Sequence, residues 1–133
     1  MKTFHLIDDG HCFVCGRQNV SGLNLDFRTE NGKTFTEFVP QKVHQGFKDI
    51  VHGGIITTVL DEAMVKVVLS TGIEALTVEI AVRFKSTLSV GETSFVEAEI
   101  MRMGSRLIET TARMRKNDNT VVAEACAKLF RNA

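Results

Sequence analysis

The sequence predicts an α+β domain in which one long antiparallel sheet packs on a single helix. A chain of 133 residues fits one domain, which we take as residues 1–133. Its second half alternates apolar and polar residues over long stretches, as strands with one buried face do. Only residues 53–71 carry a clear helical pattern, so the helix is expected there.

The chain opens with an irregular segment, followed by a hairpin. Glycine, aspartate and asparagine punctuate residues 1–21, so we expect an extension that packs on the domain. Strand-like runs follow at 23–28 and 34–39. The intervening Asn31-Gly32 favours a tight hairpin because both residues tolerate positive φ. Residues 41–52 are expected to form a loop.

Four further strands are expected after the helix. Alternation is clearest over residues 78–85, 96–100, 108–115 and 121–129. Gly91, Gly104 and residues 117–119 supply turns between them. Short turns between consecutive strands predict an antiparallel meander.

Composition and charge exclude several classes of protein. Sixteen basic and sixteen acidic residues give a formal net charge of +0, so no nucleic-acid partner is expected. No apolar run approaches the ~18 residues of a membrane span. The N-terminus lacks the apolar stretch of a signal peptide, so we expect no membrane partner and a cytoplasmic location.

The residue pattern of the helical segment predicts that both of its sides are buried against other groups. At about 100° per residue, its main apolar positions gather on one face, which we assign to the core. These positions are Ile56, Val59, Leu60, Ala63, Met64 and Val67. The opposite side carries small and polar residues instead of a charged, solvated face. A single-helix domain needs another subunit or a ligand to cover that side, so we expect a homodimer.

Two adjacent carboxylates on this helix receive different interpretations. Asp61 lies within the small and polar stripe, which favours a functional carboxylate over a structural one at a dimer interface. Glu62 lies toward the flank, one turn before Lys66, and is interpreted as half of a surface ion pair.

The start of the helix is a candidate oxyanion site. His52-Gly53-Gly54 offers none of the usual Ser, Thr, Asp or Asn N-caps. Uncapped N–H groups, aided by the helix dipole, would be free for a ligand oxygen that the glycines let approach. A plain tight turn into the helix is the alternative.

The distance between the two candidate groups gives a second reason to expect a dimer. Gly53 and Asp61 are eight residues apart, which is ~12 Å along a helix. A catalytic base must lie within ~3 Å of the atom that it serves. If both act on one carbonyl, they must come from different subunits whose helices pair antiparallel across a two-fold axis.

Three stretches of sequence resemble hotdog-fold thioesterases of the PaaI-like group, within the acyl-CoA thioesterase superfamily. The first is His52-Gly53-Gly54 with Asp61 nine residues after the histidine, and the second is the preceding segment 45–51. The third is the N-terminal Cys12-Phe13-Val14-Cys15-Gly16, followed by Asn19 and Gly22-Leu23. The resemblance covers nearly the whole chain.

The resemblance implies hydrolysis of an acyl-CoA or similar thioester without a cofactor. In that reading the Gly53 N–H polarises the carbonyl, and Asp61 of the neighbouring subunit is nucleophile or general base. His52 shapes the helix start, and Gln45 supplies a polar amide. The implied assembly is a homodimer, often paired into a homotetramer.

One departure from the family concerns a hydroxyl. Some relatives place Ser or Thr one turn after the acid, where this chain has Val65. Thr57 or Thr58 could take that role, so both are retained with Gly54 as substrate-binding candidates.

The sequence leaves several alternatives open. His44 could face substrate or cap loop backbone. A loop histidine with a helix carboxylate also suits an enoyl-thioester hydratase or dehydratase, and a non-catalytic acyl-CoA-binding module is a further possibility. His11, Cys12 and Cys15 suggest zinc, but a second close ligand pair is missing, so we expect free thiols and no metal.

Overall fold

The computed structural model describes residues 5–132. Residues 1–4 of the expected extension lie outside this range. A short 3₁₀ helix covers Lys42–His44 before the long helix. The remaining elements are β1 (Arg28–Glu30), β2 (Lys33–Phe38), α1 (Gly53–Leu69), β3 (Ala75–Phe84), β4 (Ser94–Met103), β5 (Leu107–Lys116) and β6 (Val121–Arg131).

The six strands form one antiparallel sheet in the order β1-β2-β4-β5-β6-β3. The expected four-strand meander is therefore correct for β4–β6 and wrong for β3, which pairs with β6 at the edge. The connection between β3 and β4 does not turn back into an adjacent strand, because β5 and β6 lie between these two strands in the sheet. Leu88, fully buried, anchors this connection, and its carbonyl accepts the Val51 N–H at 2.9 Å. One long edge of β3 consequently has no partner strand within residues 5–132.

The hairpin turn is confirmed, but its first strand is shorter than expected. Asn31 and Gly32 adopt φ of 52° and 76°, the positive values that a two-residue hairpin turn of this type requires. Residues 23–27 do not join the sheet as expected. The N–H groups of Leu23 and Leu25 instead donate to the carbonyls of Phe13 and Val14 in the N-terminal extension.

Helix α1 ends at Leu69, two residues earlier than expected, and Gly72 at φ 86° follows it. All six predicted core positions are buried, and they pack with sheet residues such as Val96, Ile108, Met114 and Leu129. The buried face is wider than expected, since Val68 is only 1% exposed. A long sheet wrapped around one central helix confirms the hotdog architecture. No helix within residues 5–132 is long and apolar enough to cross a membrane.

Candidate active site

Helix α1 begins with a cap that the usual preferences do not include. His52 has extended backbone (φ −61°, ψ 131°), and its Nδ1 accepts the Gly54 N–H at 2.8 Å. The imidazole thus does what a Ser or Asp side chain usually does at this position. A Cβ on residue 54 would lie 3.0 Å from that nitrogen, so glycine suits the cap. The expectation of an uncapped helix start is therefore wrong for the Gly54 N–H.

The Gly53 N–H remains available at the same helix end. The His52 carbonyl accepts the N–H groups of Ile55 and Ile56, and no acceptor within residues 5–132 engages the Gly53 N–H. The ring of Phe84, from the end of β3, lies beside Gly53, where a Cβ would approach its Cζ to 3.4 Å. One backbone donor at the positive end of the helix dipole is thus left for a ligand.

The loop before the helix is held by His44 at three points. Its carbonyl accepts the His52 N–H at 2.9 Å, and its Nδ1 accepts the Gln41 N–H at 2.9 Å. Its ring packs against Phe38, with ring centroids 5.6 Å apart. Burial lowers the pKa of His44, which favours the neutral ring. These contacts correspond to the loop-capping alternative, although Nε2 has no partner within the described chain.

Gln45 uses half of its amide to shape the same loop. Its Oε1 accepts the Asp49 N–H at 3.0 Å, where Asp49 adopts a positive φ of 63°. Among the described residues nothing engages its Nε2. Gln45 therefore keeps one side-chain donor for a ligand within the loop that precedes Gly53.

Thr57 and Thr58 direct their hydroxyl protons into the helix. Thr57 Oγ1 donates to the Gly53 carbonyl at 2.9 Å, and Thr58 Oγ1 donates to the Gly54 carbonyl at 2.8 Å. Such bonds four residues back are common for hydroxyl side chains inside helices. The two hydroxyls therefore retain only acceptor capacity toward a ligand.

Asp61 is half-buried and is held by a strand residue that the sequence analysis missed. Thr77 Oγ1 in β3 donates to Asp61 Oδ1 at 2.7 Å. The register of β3 against β6 shifts between Thr77 and Glu79, next to this contact. Asp61 Oδ2 has no partner within residues 5–132. A hydroxyl thus reaches the acid from β3, not from the next helical turn, where Val65 packs against the core.

Glu62 lies about 100° further round the helix and contacts the extension. It accepts a hydrogen bond from Cys12 Sγ at 3.1 Å, and it is not in salt-bridge contact with Lys66. The expected surface pair is therefore corrected, because the extension covers this flank. Burial raises the pKa of the Cys12 thiol to about 11. Burial also opposes the charge of Lys66, yet interactions with Cys15 and Glu62 raise its pKa above the usual value.

The predicted site residues fall into two groups within one chain. His44, Gln45, His52, Gly53 and Gly54 lie at the N-terminal end of α1, and Asp61 lies two turns further along with Thr77. A rise of 1.5 Å per residue separates Gly53 from Asp61 by ~12 Å. A single protomer therefore does not bring the free N–H and the carboxylate onto one small group.

Comparison with known proteins extends this description. The family model of the thioesterase superfamily matches residues 48–123, which is more than half of the chain. Gly53 and Asp61 lie inside the match, and His44 and Gln45 lie before it. A protein of Archaeoglobus fulgidus named "Putative esterase" is 26% identical over 102 residues. That match takes in 77% of this chain and 66% of the relative, so the chain spans about two thirds of its length.

Solved structures share the fold at low sequence identity. The Escherichia coli PaaI protein, from the phenylacetic acid degradation operon, superposes with a TM-score of 0.78 at 18% identity, over 84% of this chain and 81% of that chain. A hypothetical thioesterase protein of Streptococcus pneumoniae, solved with coenzyme A, has a TM-score of 0.78 at 15% identity, over 83% and 90% of the two chains.

Two variant structures of the pneumococcal protein share the fold as well, each with a TM-score of 0.78 at 14% identity. In one an aspartate is replaced by alanine, and in the other a threonine sixteen positions later is replaced by alanine.

Since the family model covers the helix start, the acid and most of the sheet, the chain belongs to the thioesterase superfamily.

Proposed function

We propose that this protein hydrolyses an acyl-CoA or similar thioester to the free acid and the thiol, at a site shared by two subunits. The observation that carries the proposal is the Gly53 N–H at the start of α1, which has no acceptor among residues 5–132. A thioester is already an activated acyl group, so the reaction needs no cofactor.

The helix start would stabilise the developing oxyanion. As the thioester carbonyl becomes tetrahedral, its oxygen gains negative charge, and the Gly53 N–H and the α1 dipole both favour that charge. The Gly54 N–H is not a second donor because His52 engages it. Our candidate for that role is Nε2 of Gln45, which no described residue engages.

Asp61 of the partner subunit would attack the carbonyl or deprotonate the attacking water. Thr77 holds Oδ1, which leaves Oδ2 to face the substrate or a water molecule. In the first route the carboxylate displaces the thiolate from the carbonyl carbon and forms an acyl–aspartyl anhydride, which water then cleaves to the free acid and Asp61. In the second, water adds directly and the thiolate leaves.

The pneumococcal variants support the assignment of the Asp61–Thr77 pair. The aspartate and the threonine replaced in that protein have the same separation along the chain as Asp61 and Thr77. The coenzyme A in the wild-type structure of that protein supports coenzyme A as the thiol portion of the substrate.

The free edge of β3 supports a two-fold dimer as the assembly. This edge runs for ten residues and exposes Val78 and Phe84, with 44% and 54% of their surface accessible. Exposed strand edges favour pairing with another strand. Antiparallel pairing of two β3 edges would continue the sheet and bring the α1 helices alongside each other in opposite directions, so that Gly53 meets the partner's acid.

A panel of substrates tests the proposal. Wild type and Asp61→Ala are incubated with short, medium, long and aryl acyl-CoAs, and free coenzyme A is measured by chromatography, because the three cysteines of the protein would react with a thiol reagent. We expect release by wild type alone, from a protein that light scattering shows to be at least dimeric.

Two results would overturn this assignment. Binding without hydrolysis of any substrate would favour an acyl-CoA-binding module. Equal rates for wild type and Asp61→Ala would remove the acid from the mechanism.

A further inference from the structure

Two cysteines of the N-terminal extension and one carboxylate of α1 form a cluster outside the proposed active site. Cys12 Sγ, Cys15 Sγ and a carboxylate oxygen of Glu62 all lie within 4.8 Å of one another, and all three residues are half-buried. The sequence offered Cys12 and Cys15 without further ligands. Glu62, 50 residues away from Cys12, supplies the third.

The backbone between the cysteines holds both thiols on one side. The Gly16 N–H donates to the Cys12 carbonyl at 2.9 Å, which closes a tight turn. A Cβ on Gly16 would collide with the Cys12 backbone, so the turn requires glycine. The carbonyls of the two intervening residues accept N–H groups from residues 23 and 25, which strap the turn to the domain.

A cation lies next to this turn. Lys66, one helical turn after Glu62 on α1, lines the same cavity as Cys12, Cys15 and Glu62. Metal ions bind cysteine as its thiolate. A glycine-dependent turn that holds two thiols beside a carboxylate and an ammonium group is the environment of a ligand pair.

We propose that Cys12, Cys15 and Glu62 bind one zinc ion. Zinc accepts thiolate and carboxylate ligands in tetrahedral geometry. Bond lengths of about 2.3 Å to sulfur and 2.1 Å to oxygen place tetrahedral ligand atoms ~3.5–3.8 Å apart. The Cys12 Sγ to Glu62 Oε2 separation of 3.1 Å needs to open by only a few tenths of an ångström.

The charges around the cluster fit a divalent cation. Two thiolates and one carboxylate carry three negative charges, so zinc leaves one, which the nearby ammonium group of Lys66 balances. Binding replaces two thiol protons, one of which Cys12 now shares with Glu62, and releases both to solvent. No oxidation or reduction takes place.

The fourth ligand position faces a cavity that His5, His11, Val65 and Leu69 help to line. No described histidine nitrogen joins the three ligand atoms within 4.8 Å, so water completes the tetrahedron. The ion fastens the extension to α1 at the residue after Asp61. Three protein ligands and a water make an open coordination sphere. Asp61 takes no part in it, because Thr77 holds its carboxylate.

Cobalt and zinc titrations test this site independently of hydrolysis. Reduced, metal-free protein is titrated with Co²⁺ under anaerobic conditions and then with Zn²⁺. We expect one Co²⁺ per chain, with sulfur-to-cobalt charge-transfer absorption and the visible bands of tetrahedral cobalt, both abolished by stoichiometric Zn²⁺. Zinc content after dialysis is measured by mass spectrometry.

Matched variants assign the ligands. Cys12→Ser and Cys15→Ser should lose the charge-transfer band, and Glu62→Gln should weaken cobalt binding by about tenfold or more. Cys126→Ser, which removes an exposed thiol outside the cluster, should match wild type. Circular dichroism of each metal-free variant verifies that it is folded.

Three results would overturn the proposal. The first is a folded, reduced wild-type protein that shows no cobalt–thiolate band. The second is a band or a zinc content that survives in Cys12→Ser and Cys15→Ser, which would indicate adventitious metal. The third is an air-stable mass 2 Da below that of the reduced chain with no bound metal, which would indicate a Cys12–Cys15 disulfide as the native state.

Discussion

The two flanks of helix α1 carry neighbouring carboxylates with different surroundings. Asp61 faces β3 and accepts a hydrogen bond from the Thr77 hydroxyl, whereas Glu62 faces the N-terminal extension and accepts a hydrogen bond from the Cys12 thiol. One residue along the sequence is a rotation of about 100° around the helix. That rotation separates a carboxylate held beside a free strand edge from one covered by another segment of the same chain.

The proposed role of each carboxylate depends on which groups the neighbouring residues leave free to bind a ligand. On the β3 flank the partner is a rigid strand, and one oxygen of Asp61 remains available to a ligand. On the extension flank the partner is a tight turn with two sulfur atoms, which favours metal binding over acyl transfer. The two proposed roles therefore differ because the neighbours of the two carboxylates differ.

Replacing each carboxylate by its amide should give the largest measurable difference between the two flanks of α1. Asp61→Asn should lower kcat/KM for the best acyl-CoA by ~100-fold or more, because an amide neither attacks a carbonyl nor deprotonates water. Glu62→Gln should change kcat/KM by less than about threefold, because Glu62 lies outside the proposed active site and serves no reacting atom. Steady-state kinetics measure both, with light scattering to verify the assembly. Equal losses would contradict the separation of the flanks.

Replacing Thr77 should give a smaller effect on the Asp61 flank of α1. Thr77→Val keeps the shape of the side chain and removes the donor to Asp61, so we expect kcat to fall by about tenfold with KM nearly unchanged. Thr77→Ser restores the hydroxyl and should recover most of the rate. A loss in Thr77→Val that Ser does not rescue would point to packing instead of carboxylate positioning.

The loop before the helix should show the smallest effect, on stability. Burial lowers the pKa of His44 in the folded protein, so below about pH 6.5 the unfolded chain binds more protons at this residue. The free energy of unfolding should therefore fall as the pH drops through that value. His44→Gln should make this slope shallower in urea titrations at pH 7.5, 6.5 and 5.5. An identical slope would show that His44 does not contribute.

Features set by local pattern were predictable from the sequence. The apolar positions of α1 repeat with the helical period, and all six are buried as expected. Asn31-Gly32 specifies its own backbone conformation, so the hairpin turn was also predictable. The His52 cap was not, because N-cap preferences rank small polar side chains and the reach of an imidazole to Gly54 depends on the loop conformation.

Contacts that depend on topology were beyond the sequence. Thr77 meets Asp61 only because β3 lies at the sheet edge next to the helix, and the sequence analysis placed β3 within a meander. Cys12 meets Glu62 only because the extension folds back onto the helix flank. Both contacts join segments whose separate patterns contain no information about each other.

The histidine cap also fixes the hydrogen-bonding character of the helix start. A backbone N–H can only donate, so Nδ1 of His52 must present its lone pair to Gly54. In the neutral ring the proton then resides on Nε2, and the imidazole offers a donor to its surroundings. Together with the Gly53 N–H, this donor makes the helix start a binding site for hydrogen-bond acceptors. An inhibitor aimed at it should carry acceptors such as a carboxylate, sulfoxide or phosphinate, and an ammonium group, which has no lone pair, would be rejected there.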